Sequence, residues 1–235
     1  MVIDASGIVF LVIICLGVPY LAIKSSRQLG NGPLPMSPRR FFTQSIFAQL
    51  YLVAIAIAAA YRNWINLLAT PPHPLRAWGL AALFLALLLG VMRWRWPHRD
   101  RESKEKLYRL LPHARGDFPL YFGLCLAAGI CEEIAYRGVT AALLAKITGS
   151  VAAAILIAAV AFALAHAVQG LRATIAVFVI ALGAHALYIV GQSLVPVMAV
   201  HAVYDMLAGL LMSRWYEREL ESVPQPVLSM TTPIR

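Results

Sequence analysis

The sequence contains few charged residues. They make up 13% of the 235 residues, and only 11 residues are Asp or Glu. Soluble domains carry about 25% charged residues, whereas 60% of this chain is hydrophobic. Because apolar runs recur along the whole chain, the composition excludes a soluble domain with a single anchor. It favours an integral membrane protein.

Several motifs of common enzymes are also missing. The chain has no HExxH zinc motif, no glycine-rich phosphate loop, no internal repeat and no serine in a nucleophile elbow. Its three cysteines, Cys15, Cys125 and Cys131, lie inside apolar runs and form no CxxC pair. We interpret them as buried thiols. Cys131 precedes two glutamates, but a thiolate in an apolar span is costly without a cationic partner, which disfavours a catalytic thiol.

The positive charge lies in short loops. The formal net charge is +9, and basic residues cluster between apolar runs, most densely from Arg93 to Arg115. Such loops are typical of the cytoplasmic side of a membrane protein. We therefore expect a multi-pass protein of the cell inner membrane with its N-terminus outside and its C-terminus cytoplasmic. No segment is long enough to build a basic nucleic-acid-binding face, so we expect the lipid bilayer, and no nucleic acid, as a partner.

A helix needs about 20 apolar residues to cross the hydrocarbon core. Seven runs predict an all-α transmembrane helix bundle of about seven spans: Gly7–Ile23, Ser45–Tyr61, Leu75–Met92, Leu120–Leu144, Val151–Val168, Ala173–Val190 and Val195–Met212. The fourth contains charged residues and could break into two helices. We predict one integral membrane domain over residues 1–235 and a disordered tail over 222–235.

Ionisable residues within a span are costly, so each is a candidate functional residue. The spans contain seven: Glu132, Glu133, Arg137, His166, His185, His201 and Asp205. His185 has no polar partner at helical spacing, so we interpret it as structural. The other six fall on three late spans, and this joint occurrence favours a functional site over isolated packing residues.

The spacing of these residues separates their roles. Glu133 and Arg137 are four apart and can form an ion pair on one helix face. Glu132 is rotated from Glu133 by about 100°, so it stays available for chemistry. Phe162 and His166 are also four apart.

His201 and Asp205 are four apart as well, and Asp205 can accept a hydrogen bond from the imidazole and fix its tautomer. A carboxylate and a histidine can activate a water that attacks a carbonyl, and a second histidine can stabilise the oxyanion. The set therefore predicts amide hydrolysis. Glu132, His166 and His201 would be the ligands if a zinc ion takes part. The sequence leaves zinc-bound water and glutamate-activated water both open, and we favour glutamate.

The three motifs, EExxxR from Glu132 to Arg137, FxxxH from Phe162 to His166 and HxxxD from His201 to Asp205, resemble those of a known family. This is the CPBP family of intramembrane proteases, also called Abi, which includes CAAX prenyl proteases and bacteriocin-processing enzymes. The resemblance covers roughly Leu120 to Met212 and implies a catalytic core over residues 118–213. It implies an endopeptidase that cleaves a membrane-anchored protein or peptide.

The resemblance also implies individual roles. Glu132 and His166 would activate the water, and His201 and Asp205 would stabilise the oxyanion. Glu133, Arg137 and Phe162 would support the site. The prenyl protease carries Asn where this chain has Asp205, and an ionised Asp cannot donate to an oxyanion. We therefore expect Asp205 to orient His201.

The substrate and two rival functions stay open at this point. Members of the family cleave prenylated C-termini, process bacteriocins, confer immunity or clip C-terminal membrane anchors, and we expect C-terminal sorting or bacteriocin-type processing here. The alternative is a non-catalytic scaffold or immunity factor with the same fold. A proton-coupled transporter is a weaker third candidate, because no inverted repeat is present.

Overall fold

The computed structural model describes residues 3–29, 36–67 and 69–222, and no strand occurs among them. The helices are α1 (Ala5–Val12), α2 (Val18–Leu29), α3 (Pro38–Arg62), α4 (Pro74–Arg95), α5 (Arg101–Tyr108), α6 (Phe118–Glu132), α7 (Ala141–Thr148), α8 (Val151–Ala165), α9 (Leu171–Gly191) and α10 (Leu194–Glu221). The predicted all-α architecture is confirmed. The predicted tail lies, from residue 223 onward, outside the described residues.

Two pairs of helices are continuous through π-helical segments. Ile13–Gly17 joins α1 to α2, and Glu133–Thr140 joins α6 to α7. The predicted fourth span therefore does not break at its charged residues. It forms one helical segment of 34 residues, Arg115–Thr148. π-Helical turns inside α-helices are frequent at functional sites. The segment Glu133–Thr140 carries Glu133 and Arg137.

Local capping fixes where the long helices begin and end. The Ser37, Ser150 and Ser193 side chains each accept a hydrogen bond from a backbone N–H of the first turn of α3, α8 and α10, respectively. Such caps satisfy amides that have no partner inside the helix. Gly149 ends α7 with a φ of 66°, which glycine adopts without the steric cost of a Cβ.

Among the described residues, six helical segments are long and apolar enough to span a membrane. The fifth predicted span, Val151–Val168, is shorter than expected, since α8 ends at Ala165 and has 15 residues. At about 1.5 Å per residue it covers only about 22 Å. Large apolar side chains such as Leu16, Phe47, Leu83 and Val179 point outward on different segments. Lipid solvates such side chains, as expected of a polytopic bundle.

Ion pairs and hydrogen bonds show which helix termini meet. At one end of the bundle, Asp4 pairs with Arg62 at 3.6 Å, and the Lys146 ammonium donates to the Asn63 carbonyl at 2.6 Å. The start of α1, the end of α3 and the end of α7 therefore lie together. We call this the Asn63 end.

The opposite end is marked by three further ion pairs, which are Arg39–Asp117, Lys104–Glu219 and Arg172–Asp100. We call it the Glu219 end. Here the starts of α3, α6 and α9 lie with α5 and the end of α10. The chain thus passes seven times between the two ends, and α1 begins at the end opposite to that where α10 stops.

The short helix α5 is fastened to the last turns of α10. The buried Lys104 ammonium lies 2.8 Å from Glu219 Oε2 and 5.2 Å from the centre of the Trp96 ring. The Trp96 indole N–H donates to the same carboxylate. At the start of α5, the backbone N–H and hydroxyl of Ser103, with the Arg172 guanidinium nearby, lower the pKa of Asp100. Part of the positive loop is therefore neutralised inside the protein.

Helix α6 lies between α3 and α10 and contacts both extensively. A glycine permits the approach to α10, because a Cβ at Gly129 would lie 2.7 Å from the Ala202 backbone nitrogen. Gly129 is one turn before Glu132 and Glu133, and Ala202 follows His201. This close packing brings the glutamates and the second histidine together.

Candidate active site

The three predicted motifs converge inside the bundle. Glu132 at the end of α6, His166 at the end of α8 and His201 on α10 face one another. Glu132 Oε2 lies 3.9 Å from His166 Nε2 and 3.9 Å from His201 Nε2. Asp205 Oδ2 lies 3.4 Å from His201 Nε2. The four residues that the sequence predicts as catalytic thus form one cluster.

The Glu133–Arg137 ion pair also forms as predicted. Arg137 Nη1 lies 3.1 Å from Glu133 Oε1, and the two side chains are only 1% and 2% exposed. The Arg137 guanidinium carbon lies 4.3 Å from the centre of the Phe162 ring. The centroid of the Phe162 ring lies 4.6 Å from the centroid of the His166 ring. Phe162 therefore fills the space between the ion pair and the first histidine.

The hydrogen bond at Nδ1 fixes the tautomer of His166. Nδ1 lies 2.8 Å from the Phe162 carbonyl oxygen, which can only accept, so Nδ1 carries a proton. In the neutral ring, Nε2 is then an acceptor facing Glu132. A water oxygen about 2.8 Å from both atoms fits between them, because two such contacts span the 3.9 Å separation at an open angle.

His201 lies among three carboxylates. Its Nδ1 is 2.7 Å from Glu133 Oε1, while its Nε2 faces Asp205 and Glu132. Carboxylates accept and do not donate, so the doubly protonated ring is the form that satisfies both sides. The orienting role predicted for Asp205 stays a prediction, and its Oδ2 lies 3.4 Å from Nε2. The shorter contact to the ring comes from Glu133, which therefore links the Arg137 ion pair to the second histidine.

Asp205 is the most accessible member of the cluster, with 36% of its side chain exposed. A side chain of α6 contacts the backbone at this position, because the Tyr121 hydroxyl donates a hydrogen bond to the Asp205 carbonyl oxygen at 2.9 Å. Tyr121 also packs against Phe42 of α3 with their ring centroids 5.5 Å apart. These contacts connect α3, α6 and α10 on the Glu219 side of the cluster.

A cavity of about 470 Å³ leads away from the cluster. Its wall includes Glu132, His166, His201 and Asp205, and most of the remaining lining is apolar. It reaches Leu107 at the end of α5. The cavity therefore extends from the buried carboxylate towards the Glu219 end of the bundle.

His185 takes no part in lining this cavity. It is buried, and its Nε2 has no hydrogen-bond partner among the described residues. The cysteines remain unpaired thiols. Cys131 does not line the cavity, whereas Cys125 does. His185 therefore stays a structural residue in our interpretation.

The arrangement can be tested for a zinc ion. Two ligands of one tetrahedral zinc ion lie about 3.4 Å apart, given metal–ligand bonds of about 2.1 Å. The separations from Glu132 Oε2 to the two imidazoles are both 3.9 Å. Among the residues that the structure describes, no group of three His, Cys, Asp or Glu is disposed to hold a metal ion. The residues as arranged do not fit zinc, and no step below uses it.

One polar contact to the cluster was not predicted from the sequence. Gln49 of α3 donates its side-chain amide to Glu132 Oε1. The candidate residues were the ionisable ones, and Gln49 is neutral. A signal was present, because Ser45 and Gln49 stand one turn apart in an apolar span, and polar side chains there tend to make contacts between helices.

Comparison with known proteins places the motifs in a family. Residues 114–207, about two-fifths of the chain, match the family described as type II CAAX prenyl endopeptidase Rce1-like. The matched region contains all three motifs, so it confirms the resemblance to the CPBP family that was found from them. At the level of the family, this supports a CAAX-type intramembrane protease. No curated protein and no solved structure matches the chain.

Proposed function

We propose that this protein is an intramembrane endopeptidase that hydrolyses a peptide bond of a membrane-associated protein or peptide with a glutamate-activated water. The observation that carries the proposal is the position of Glu132 Oε2, which lies 3.9 Å from the Nε2 atoms of both His166 and His201 at the wall of the apolar cavity. A buried carboxylate beside an accepting imidazole is suited to general base catalysis.

The proposed reaction begins with a water between Glu132 and His166. Glu132 Oε2 removes a proton from the water while His166 Nε2 accepts its other O–H. The water oxygen bonds to the scissile carbonyl carbon, and the carbonyl π electrons move to its oxygen. The Nε2–H of the protonated His201 ring donates to that oxyanion, which is the kind of contact that stabilises the transition state.

The tetrahedral intermediate then collapses. The oxyanion re-forms a C=O bond, the C–N bond breaks, and the leaving nitrogen takes the proton held by Glu132. The products are a new carboxyl terminus and a new amine. Glu133 and Arg137 touch no reacting atom in this scheme. They hold the His201 ring through the 2.7 Å contact to Nδ1.

The shape of the cavity favours a substrate that is largely apolar near the scissile bond. A peptide that enters from the Glu219 end would pass the apolar wall before it reaches Glu132. Cleavage of a membrane-anchored C-terminus or of a bacteriocin-type peptide would meet this requirement. We expect the bilayer and such a substrate, and no nucleic acid, as partners.

The distribution of charge supports a cytoplasmic Glu219 end in the cell inner membrane. Fifteen of the 20 Lys and Arg residues lie in loops and helix termini at that end, and three lie at the Asn63 end. Positive loops stay on the cytoplasmic side. The C-terminus would then be cytoplasmic and the N-terminus outside. A fluorescent protein fused after residue 235 should fluoresce, while a periplasmic alkaline phosphatase fused there should be inactive.

The function is tested by comparing protein termini in membrane and secreted fractions of the host. The strains carry wild-type protein, Glu132→Gln or the surface control Glu221→Gln at matched expression. We expect defined termini that disappear with Glu132→Gln only, and these name the substrate and the cleavage site. Unchanged termini, with rescue of a deletion phenotype by Glu132→Gln, would instead favour the scaffold.

A further inference from the structure

One face of α3 forms part of the cavity wall. Phe41, Ser45 and Gln49 all line the cavity, and their spacing of four residues places them on the same side of the helix. This helix lies outside the region that matches the family, which begins at residue 114. Any role of this face in the reaction is therefore a property of this chain beyond the three motifs.

Gln49 has the most direct contact with the reacting groups. Its Nε2 donates to Glu132 Oε1, and this orientation of the amide is required because a carboxylate only accepts. The other carboxylate oxygen, Oε2, is buried and has no hydrogen-bond partner among the described residues. The glutamine thus occupies one oxygen and leaves the second one facing the two imidazoles.

This division of the carboxylate has a geometric consequence. The Glu132 side chain has three rotatable bonds, and the ordinary rotamers point its oxygens in different directions. A contact from α3 on Oε1 selects the rotamer in which Oε2 lies 3.9 Å from both Nε2 atoms. Without that contact, the carboxylate can turn away from the histidines, and the general base leaves its reactive position.

We propose that Gln49 is a positioning residue of the active site. It holds the Glu132 carboxylate from α3 so that Oε2 can take the proton of the attacking water. It does not touch the reacting atoms. The inference rests on the proposed function, because it assigns Gln49 a role in the reaction of Glu132. It predicts that loss of the amide lowers kcat and leaves substrate binding unchanged.

The test compares Gln49→Met with a matched control. Methionine keeps the length of the side chain and removes the donor. Gln44→Met makes the same change at an exposed position of the same helix. Each purified variant is assayed in lipid vesicles with an internally quenched peptide that spans the cleavage site found in the comparison of termini.

We expect Gln49→Met to lower kcat about 10-fold to 100-fold, the effect of losing one hydrogen bond to a charged group. KM should stay within about twofold of the wild-type value, and the Gln44→Met control should keep wild-type kcat. Gln49→His should recover much of the loss, because its Nε2–H reaches about as far as the glutamine amide. Gln49→Asn withdraws the amide by one methylene and should lower kcat by a smaller factor, which keeps the test available if Gln49→Met does not fold.

Three results would overturn the inference. A raised KM with unchanged kcat would make Gln49 a substrate contact. Equal losses in Gln49→Met and Gln49→His, with a matching fall in melting temperature, would make it a packing residue. If no terminus in the host depends on Glu132, the proposed function fails and the inference fails with it. The first two results arise only in an active protease, so the two failures are distinguishable.

Discussion

The ion pair between Glu133 and Arg137 is the contact whose loss should cost the most stability. Arg137→Met removes the cation and leaves the Glu133 carboxylate in a site where only 2% of the side chain is exposed. Breaking a buried pair by removing one partner costs about 3–5 kcal/mol, because Glu133 then keeps only the His201 imidazole as a cationic partner. The Arg137 contact with the Phe162 ring is lost in the same change.

The expected loss of stability can be measured as a fall in the melting temperature. For a chain of this size, about 1 kcal/mol shifts the melting temperature by about 2–4 °C. Arg137→Met should therefore lower it by about 6–20 °C. The assay is thermal unfolding of the purified protein in one detergent, followed by the fraction that stays monodisperse on size-exclusion chromatography.

Two further variants make this prediction specific. Arg62→Met breaks an exposed pair in which 64% of the Arg62 side chain is accessible, so it should cost less than about 1 kcal/mol. The double variant Glu133→Gln/Arg137→Met removes both charges and should regain most of the lost stability. If Arg137→Met has the same melting temperature as Arg62→Met, within about 2 °C of the wild type, the buried pair does not stabilise the fold as proposed.

Three other substitutions test the packing and the second histidine. Gly129→Ala should lower the free energy of unfolding by about 1–3 kcal/mol and lower activity, because the new Cβ would lie 2.7 Å from the α10 backbone. Gly79 has no atom within 4 Å of a new Cβ, so Gly79→Ala should behave like the wild type in melting and cleavage assays. Lys104→Met should increase proteolysis of the α5 region more than Lys106→Met does. The reason is that the Lys104 side chain is 10% exposed in its ion pair, whereas the Lys106 side chain is 31% exposed. Equal cleavage of the two variants would contradict the attachment of α5 to α10. Asp205→Ala should lower kcat about tenfold through loss of a hydrogen bond to the imidazole, with Asp205→Asn less affected, and full activity in both would remove Asp205 from the site.

The sequence predicted the helical fold and the members of the cluster for a clear physical reason. Charged and imidazole side chains are costly in lipid, so Glu132, His166 and His201 stand out against apolar neighbours. Periodicity of four then identified the Glu133–Arg137 pair. Both features are local in the chain, and the structure agrees with both.

The features that escaped prediction depend on contacts between distant segments. The Gln49–Glu132 hydrogen bond joins residues 83 positions apart, and the contact of Glu133 with His201 joins residues 68 positions apart. No periodicity within one helix reports such contacts. The length of α8 was overestimated because His166 leaves the helix to bond the carbonyl of Phe162, and the apolar run continues past that point to Val168.

The most direct test of the account is the cleavage rate of Glu132→Gln in lipid vesicles, with the peptide that spans the mapped cleavage site. Glutamine keeps the size of the side chain and cannot accept the proton of the water. General base catalysis contributes about 10²–10⁴-fold, so the rate should fall by at least that factor while the variant melts like the wild type. A Glu132→Gln protein that cleaves at the wild-type rate would contradict the account, because the carboxylate could not then be the base.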